Sequence, residues 1–169
     1  MSQASQPLVG IVLGSESDLP MMTKGVELLK KFGVEVEVQL SSAHRAPEMT
    51  ARYAKEAEGR GIRVLIGAAG FANHLAGALA AHTSLPVIGV PLNTSPLQGL
   101  DSLLSTVQMP GGVPVATVSI GEAGAVNAAI LAVQILATGD PRLRQAVHQY
   151  KQEMAEKIAR RSEELRNRS

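Results

Sequence analysis

Short apolar runs alternate along the chain with longer stretches in which apolar residues recur every three or four positions. The runs are rich in Val, Ile and Leu and end at Gly, Ser or Pro, a pattern typical of buried strands followed by turns. Alternating valine and glutamate in the second run predicts a strand with one less buried face, near a sheet edge. The five predicted strands span residues 8–13, 34–40, 62–66, 86–90 and 113–120.

Helices are predicted between and after these strands from residues that begin or end them. Asp18 and Pro20 favour a helix start, and Gly33 favours an end after Phe32. Pro47 begins a second helix, and a third, rich in small residues, follows the third strand. The predicted helices span about 18–32, 47–60, 71–82, 123–137 and 141–167, with a further amphipathic stretch at 100–107.

This order of elements predicts one α/β domain over residues 1–169, with a core at 8–138 and a C-terminal helical extension at 141–167. Right-handed crossovers favour a three-layer, doubly wound parallel sheet in the flavodoxin-like order 2-1-3-4-5. In such a sheet the ligand crevice lies at the carboxyl ends of the strands, where the connections after the first and third strands diverge. The loops after the first three strands therefore form one candidate site.

Composition excludes several classes of protein. The chain has 169 residues and 17.7 kDa, with 45% hydrophobic and 18% charged residues, and its apolar runs are too short to cross a membrane. A net charge of +1 and 2% aromatic residues argue against nucleic acid as a partner. The absence of cysteine excludes disulfides and thiolate chemistry. The polar start MSQASQP resembles no secretory signal, so a cytoplasmic location is expected.

The loop after the first strand, GSESD at 14–18, has the composition of an anion-binding turn. Gly14 permits a tight turn, Ser15 and Ser17 offer hydroxyls, and the following helix presents unpaired N–H groups. The segment matches neither a P-loop nor GxGxxG, nor the GxSxG of hydrolases. Capping of the helix by serine and Asp18 is the structural alternative.

The loop after the second strand places His44 next to Arg45. Histidine can give and retake a proton near neutral pH, and a guanidinium can bind a phosphate or carboxylate through two hydrogen bonds. The pair predicts a proton-transfer and anion-binding site, the alternative being a solvated loop. After the third strand, GAAG at 67–70 either leaves a small apolar space or allows close helix packing. His74 either lines the pocket or bonds a backbone carbonyl.

Four segments together resemble a known enzyme family. They are GSESD at 14–18, SSAHR at 41–45, GAAGFANHLAG at 67–77 and LDSLLSTVQMPGGVPVATVSIG at 100–121. In this order and spacing they are similar to the class I N5-carboxyaminoimidazole ribonucleotide mutases of purine biosynthesis, within the AIR carboxylase catalytic subunit family. The likeness covers about residues 8–138. Arg45 favours the mutases, because the related branch that takes free CO2 typically has lysine after the histidine of this motif.

The resemblance implies transfer of a carboxyl group, in IMP synthesis, from N5-carboxyaminoimidazole ribonucleotide (N5-CAIR) to give 4-carboxy-5-aminoimidazole ribonucleotide (CAIR). It implies no cofactor, a homo-octamer, and His44 as the only proton carrier. Asp18 would bind the ribose hydroxyls, the serines and Arg45 the phosphate, and the glycine-rich third loop the CO2. The implied substrate-binding residues are Ser15, Ser17, Asp18, Ser42, Arg45, Gly70 and His74.

One segment departs from the family pattern, which is usually GAGGAAHLPG. This chain has one extra residue between Gly70 and His74, and Ala76 stands in place of proline. The extra residue and the side chain of Phe71 are expected to reshape the CO2 pocket.

Other functions are compatible with parts of the pattern. The nearest is direct carboxylation of aminoimidazole ribonucleotide (AIR) by CO2. A flavodoxin-like binding module would use aromatic side chains around a flavin, but Phe71 is the only aromatic residue near the predicted site. A phospho-receiver would need an aspartate at the end of the third strand, where Gly67 stands. His44 and His74 lie in no HExxH or carboxylate-rich motif, so no metal site is predicted.

Two C-terminal segments predict assembly. The helix at 123–137 is apolar on nearly every face, more than one side of a sheet can cover. The following helix has an apolar stripe that a monomer would expose, which favours an oligomer over packing within one subunit. The stripe consists of Leu143, Val147, Tyr150, Met154 and Ile158.

Overall fold

A computed structural model describes residues 6–168. The strands are β1 (Val9–Leu13), β2 (Val36–Leu40), β3 (Val64–Ala69), β4 (Val87–Pro91) and β5 (Ala116–Thr117). They form one parallel sheet in the order β2-β1-β3-β4-β5, so the predicted α/β, flavodoxin-like topology is confirmed. Residues 1–5, on which the prediction of no secretory signal depends, lie outside the described residues.

Helices cover both faces of the sheet. They are α1 (Leu19–Lys31), α2 (Pro47–Ala57), α3 (Leu75–Ala80), α4 (Leu100–Val107), α5 (Gly121–Ala137) and α6 (Pro141–Arg166), with 3-10 turns at Glu16–Asp18 and Glu58–Arg60. α1 and α5 share one apolar core with the sheet, and α2 and α3 share a second core on the opposite face. α4 packs on the same face as α3, against β4. No helix within residues 6–168 is long and apolar enough to cross a membrane.

β3 extends further toward the site than the prediction of 62–66. It continues through Gly67 to Ala69 and therefore carries small residues into the sheet. A Cβ on Gly67 would lie 2.9 Å from the Cα of Ala76 in α3, so glycine is needed for this close approach. Close helix packing, one of the two interpretations of the GAAG segment, is confirmed for Gly67.

The two edge strands are β2 and β5. β2 lies at the edge as predicted, with Val38 and Leu40 nearly half exposed. The prediction of a strand over 113–120 is wrong in extent, because only Ala116 and Thr117 pair with β4. Pro114 has no N–H to donate to a ladder, and the chain turns just before it with a φ of 95° at Gly112.

α5 buries its small residues inside its own subunit, whereas Ile130, Leu131 and Ile135 stay partly exposed. Ala128, Ala129 and Ala132 are fully buried, and α5 packs between α1, the sheet and α6. At the crossing with α1, a Cβ on Gly25 would lie 2.6 Å from the Ala125 carbonyl oxygen, so the helices approach through a glycine. α1 and α6 of the same chain thus cover part of this helix, and its contact with a neighbouring subunit stays a prediction.

α6 is packed only along its first half. Leu143 and Val147 are buried in the core, and the Tyr150 ring lies 5.5 Å from that of Phe32. Beyond this point every described residue of α6 is exposed, including Ile158 at 65%. The predicted apolar stripe therefore has a covered half and an uncovered half.

Candidate active site

A cavity of about 500 Å³ opens at the carboxyl ends of β1, β2 and β3. It lies where the connections from β1 and β3 leave on opposite faces of the sheet, the position at which doubly wound proteins bind ligands. The three loops identified from the sequence meet there, together with one residue from the loop after β4. All eight predicted site residues line this cavity: Ser15, Ser17, Asp18, Ser42, His44, Arg45, Gly70 and His74.

The first loop closes on itself through Asp18. Its buried carboxylate accepts a hydrogen bond from the Ser15 N–H at 2.9 Å, and the Ser17 hydroxyl lies 3.0 Å from the Ser15 hydroxyl. Burial raises the pKa of Asp18, and the Ser15 N–H lowers it to a lesser extent. Asp18 occupies the N-cap position of α1 as predicted, but its side chain makes no bond to that helix. It forms instead a capping box with Ser15 around the 3-10 turn at Glu16–Asp18. The carboxylate also shapes the cavity wall.

Arg45 ties the second loop to the first. The Ser42 hydroxyl accepts the Arg45 backbone N–H at 3.2 Å and its Nε at 3.4 Å, while Nη2 donates to the Gly14 carbonyl oxygen at 3.2 Å. These bonds hold the guanidinium at the rim of the cavity although the residue is exposed. Arg45 and the hydroxyls of the first loop therefore face the same space, an arrangement suited to an anionic group.

The two histidines of the cavity are hydrogen-bonded to each other. His44 Nε2 and His74 Nδ1 are 2.7 Å apart, with the rings nearly perpendicular at 86°. One of the two facing nitrogens must carry the proton of this bond and the other must accept it. Of the two interpretations of His74, the structure supports pocket lining. Sequence reasoning missed the pairing itself, because 30 residues separate the two positions.

The third loop is wedged against the loop after β4. A Cβ on Gly70 would lie 1.8 Å from the Thr94 hydroxyl oxygen, so no other residue fits there without movement. Phe71 adopts the left-handed region with a φ of 53° and places an exposed ring at the cavity mouth. Thr94 was missed from the sequence, although its place after β4, the strand next to β3, is a topological signal that could have found it.

The cavity lining combines polar side chains with apolar ones. The small apolar side chains among its lining residues are Ala43, Ala69, Ala72 and Leu75. No group of three or more potential metal ligands occurs among the residues that the structure describes. Proton transfer by an imidazole pair, next to an anion-binding rim and a small apolar space, is the chemistry that these residues can support.

The fold and cavity define a doubly wound α/β protein of the flavodoxin-like class, with two hydrogen-bonded histidines in a cavity at the strand ends. Residues 8–157 match the model of a family described as AIR carboxylase, and the chain belongs to this family. The resemblance identified in the four sequence segments is thereby confirmed.

Individual relatives support the same assignment. The N5-carboxyaminoimidazole ribonucleotide mutase of Synechocystis sp. is 53% identical over 159 residues, which cover 94% of this chain and 89% of that protein. The protein of the same name from Thermotoga maritima is 52% identical over 94% of this chain and 92% of its own length. The crystal structure of Treponema denticola PurE has a TM-score of 0.85 at 31% identity, covering 94% of this chain and 98% of that one.

Proposed function

We propose that this protein is an N5-CAIR mutase of purine biosynthesis, which converts N5-CAIR to CAIR. The observation that carries the proposal is the His44–His74 pair, at 2.7 Å, beside Arg45 in a cavity of a chain that belongs to the AIR carboxylase family. The two relatives described above, each more than half identical to this chain, bear the mutase name.

The reaction requires one proton to be given and one to be taken. As the carbamate C–N bond of N5-CAIR breaks, its electron pair stays on N5, and His44 donates a proton to that nitrogen while CO2 is released. C4 of the resulting enamine then attacks the carbon of CO2, and His44 removes the proton from C4, which restores the aromatic ring. The protons balance over the cycle, so the residues of the cavity complete the reaction without a further proton donor.

His74 supports His44 in this proposal. Its Nδ1 holds the plane of the His44 ring through the 2.7 Å bond and offers the shared proton a second nitrogen. Because CO2 is neutral and easily lost, the intermediate also needs a small, dry space. Gly70 and Ala69, which line the cavity together with His74, would provide it.

The remaining predicted residues would hold the nucleotide. Arg45 is expected to bind the phosphate together with the hydroxyls of Ser15, Ser17 and Ser42, all of which line the cavity. Asp18 is expected to accept hydrogen bonds from the ribose hydroxyls, since a carboxylate can accept two at once. Most of the binding energy would thus come from the phosphate end of the substrate, away from the reacting atoms.

Turnover assays separate the mutase from the carboxylase that uses CO2 directly. The purified protein is given N5-CAIR in one assay and AIR with bicarbonate in another, and CAIR formation is followed in both. We expect rapid turnover of N5-CAIR and little from AIR and bicarbonate at physiological concentrations. A preference for AIR and bicarbonate would support the carboxylase, and turnover of neither would contradict both.

We also propose that the protein acts in the cytoplasm as a homo-octamer. The support is the exposed apolar surface of two helices, in particular Leu100 and Leu104 in α4, each more than half exposed, and Ile158 in α6. Light scattering on the purified protein is the test, and a mass near 17.7 kDa at micromolar concentration would contradict the assembly. Deletion of all of residues 141–169 would also remove Leu143 and Val147 from the core. Deletion of residues 151–169 alone is therefore expected to weaken the oligomer before it affects His44, and a truncated protein that remained an octamer would exclude this half of α6 as an assembly element.

A further inference from the structure

We propose that Asn73 is a positioning residue that holds His74 in contact with His44. The inference rests on the proposed function, because it assigns a residue to the acid–base pair of that reaction. Asn73 does not line the cavity and is only 1% exposed, although its neighbours Ala72 and His74 are both exposed. It is therefore the buried anchor of an otherwise exposed loop.

Two hydrogen bonds fix Asn73 to different elements. Its backbone N–H donates to the Ser105 hydroxyl in α4 at 2.9 Å, and its side-chain Nδ2 donates to the Val90 carbonyl oxygen in β4 at 3.4 Å. The Ser105 hydroxyl itself donates to the Asp101 carbonyl oxygen at 2.7 Å, so it is held in the orientation that accepts from the loop. The loop is thus attached to rigid elements on two sides.

The position of His74 follows directly from this anchor. The two residues are adjacent in the chain, and His74 begins α3, where its carbonyl oxygen accepts the Ala78 N–H at 2.8 Å. With Asn73 fixed on one side and α3 on the other, the His74 backbone has little freedom to move. The imidazole is then held at the 2.7 Å distance from His44 Nε2.

The second polar atom of the Asn73 amide argues against a purely structural role. Its Oδ1 is buried and accepts no hydrogen bond from any residue within 6–168. A buried acceptor without a partner destabilises a fold, and an apolar residue of similar size would avoid this loss. An amide at this position is explained by its other atom, Nδ2, whose hydrogen bond to the Val90 carbonyl oxygen fixes the position of the loop.

The test compares Asn73→Ala with Thr106→Val as a control. Thr106 is buried in α4, and its hydroxyl donates to the Ser102 carbonyl oxygen of the same helix, so the control also removes a buried hydrogen bond but leaves Asn73 in place. We expect Asn73→Ala to lower kcat about 10- to 100-fold, as for a catalytic group displaced by about 1 Å, with a much smaller change in KM. The imidazole ¹⁵N signals of the ligand-free protein should also change, since they report the bond between the two histidines. Thr106→Val should leave both kcat and these signals unchanged.

A double variant shows whether Asn73 acts through His74. In a His74→Ala background, Asn73→Ala should cause little further loss of kcat, because the group that it positions is already absent. A full additional loss in that background would overturn the proposal, as would an Asn73→Ala protein of lower stability with unchanged kcat and unchanged ¹⁵N signals.

Two milder variants keep the proposal testable if Asn73→Ala does not fold. Ser105→Ala removes the acceptor of the Asn73 N–H and should lower kcat, as Asn73→Ala does. Ser105→Thr keeps the hydroxyl and should have a kcat close to that of the wild type. Equal kcat for these two variants would contradict the anchor. If the wild-type protein turned over neither substrate, the proposed function would fail, while the ¹⁵N signals of the variants would still test the positioning.

Discussion

The loop that carries His44 and the loop that carries His74 meet in one hydrogen bond but are anchored by different kinds of contact. The His44 loop begins with a buried bond between the Ser41 and Thr50 hydroxyls at 2.7 Å. Around His44 it is held at the surface, where Arg45 donates to the Ser42 hydroxyl of the same loop and to the Gly14 carbonyl oxygen. Its polar side chains remain accessible and can exchange these bonds for bonds to a ligand. Substitutions in this loop are therefore expected to change chemistry and binding more than stability.

The His74 loop is held by contacts with α4 and β4 and with the loop after β4. Asn73 is buried between α4 and β4, and Gly70 is pressed against Thr94 with no room for a side chain. Substitutions of Asn73 or Gly70 are expected to disturb packing first, and to affect the chemistry only by displacing His74. His44 is therefore flanked by exposed polar bonds, whereas His74 follows a buried residue that is hydrogen-bonded to α4 and β4.

The largest effect is expected for His44→Asn. Asparagine keeps a similar size and polarity but cannot carry a proton, so kcat should fall by at least about 10²–10⁴-fold, the range for loss of a general acid–base group. The melting temperature should remain close to that of the wild type. His82→Asn, an exposed histidine outside the cavity, is the matched control. Activity within about tenfold of the wild type would remove His44 from the catalytic role.

Arg45→Ala should chiefly weaken substrate binding. Loss of a hydrogen bond to a charged group is worth about 1.5–3 kcal/mol, which corresponds to a rise in KM of about 10- to 100-fold. The fall in kcat should be smaller, because the proton carrier is intact. Steady-state kinetics measure both constants, with the exposed Arg63→Ala as the control. An unchanged KM in Arg45→Ala would contradict the phosphate-binding assignment.

Gly70→Ala tests the packed loop. The new Cβ would overlap the Thr94 hydroxyl, and such overpacking typically lowers the free energy of unfolding by about 1–3 kcal/mol. Chemical denaturation measures this loss. Gly59→Ala is the matched control, because no atom lies within 4 Å of its added Cβ. Thr94→Ala should recover part of the stability in the double variant, and an equally unstable double variant would show that Thr94 is not the cause.

The smallest effect is the pH dependence that Asp18 contributes. Burial raises its pKa above the ordinary value of 3.8, so the folded state favours the protonated carboxyl. The protonated Asp18 carboxyl therefore stabilises the folded state at a pH below 3.8, and this stabilisation is lost as the pH rises through the higher pKa of the folded state. Asp18→Asn, whose oxygen still accepts the Ser15 N–H, should therefore gain stability relative to the wild type between pH 4 and 7. A difference that stays constant over this range, measured by urea denaturation, would argue against the raised pKa.

Local patterns were sufficient to predict most of the fold and the residues that line the cavity. Apolar periodicity located five strands and their connecting helices. Right-handed crossovers then put the loops after β1, β2 and β3 together at the carboxyl ends of the strands. The eight predicted site residues line one cavity because each follows a strand end or belongs to a motif resembling the family. The limit of such reasoning is seen at β5, where Pro114 and Gly112 shorten a strand that apolar content alone predicted to be longer.

By itself, then, the sequence determined the strand order and the loops that form the cavity, because turn residues and periodicity are properties of neighbouring positions. Only the tertiary structure decided that His44 and His74 share a hydrogen bond, that Asp18 folds back on Ser15, and that Thr94 excludes a side chain at position 70. It also decided that the alanines of α5 are buried within their own subunit. These outcomes depend on distances of a few ångströms between residues far apart in the chain, and such distances follow from how the layers pack.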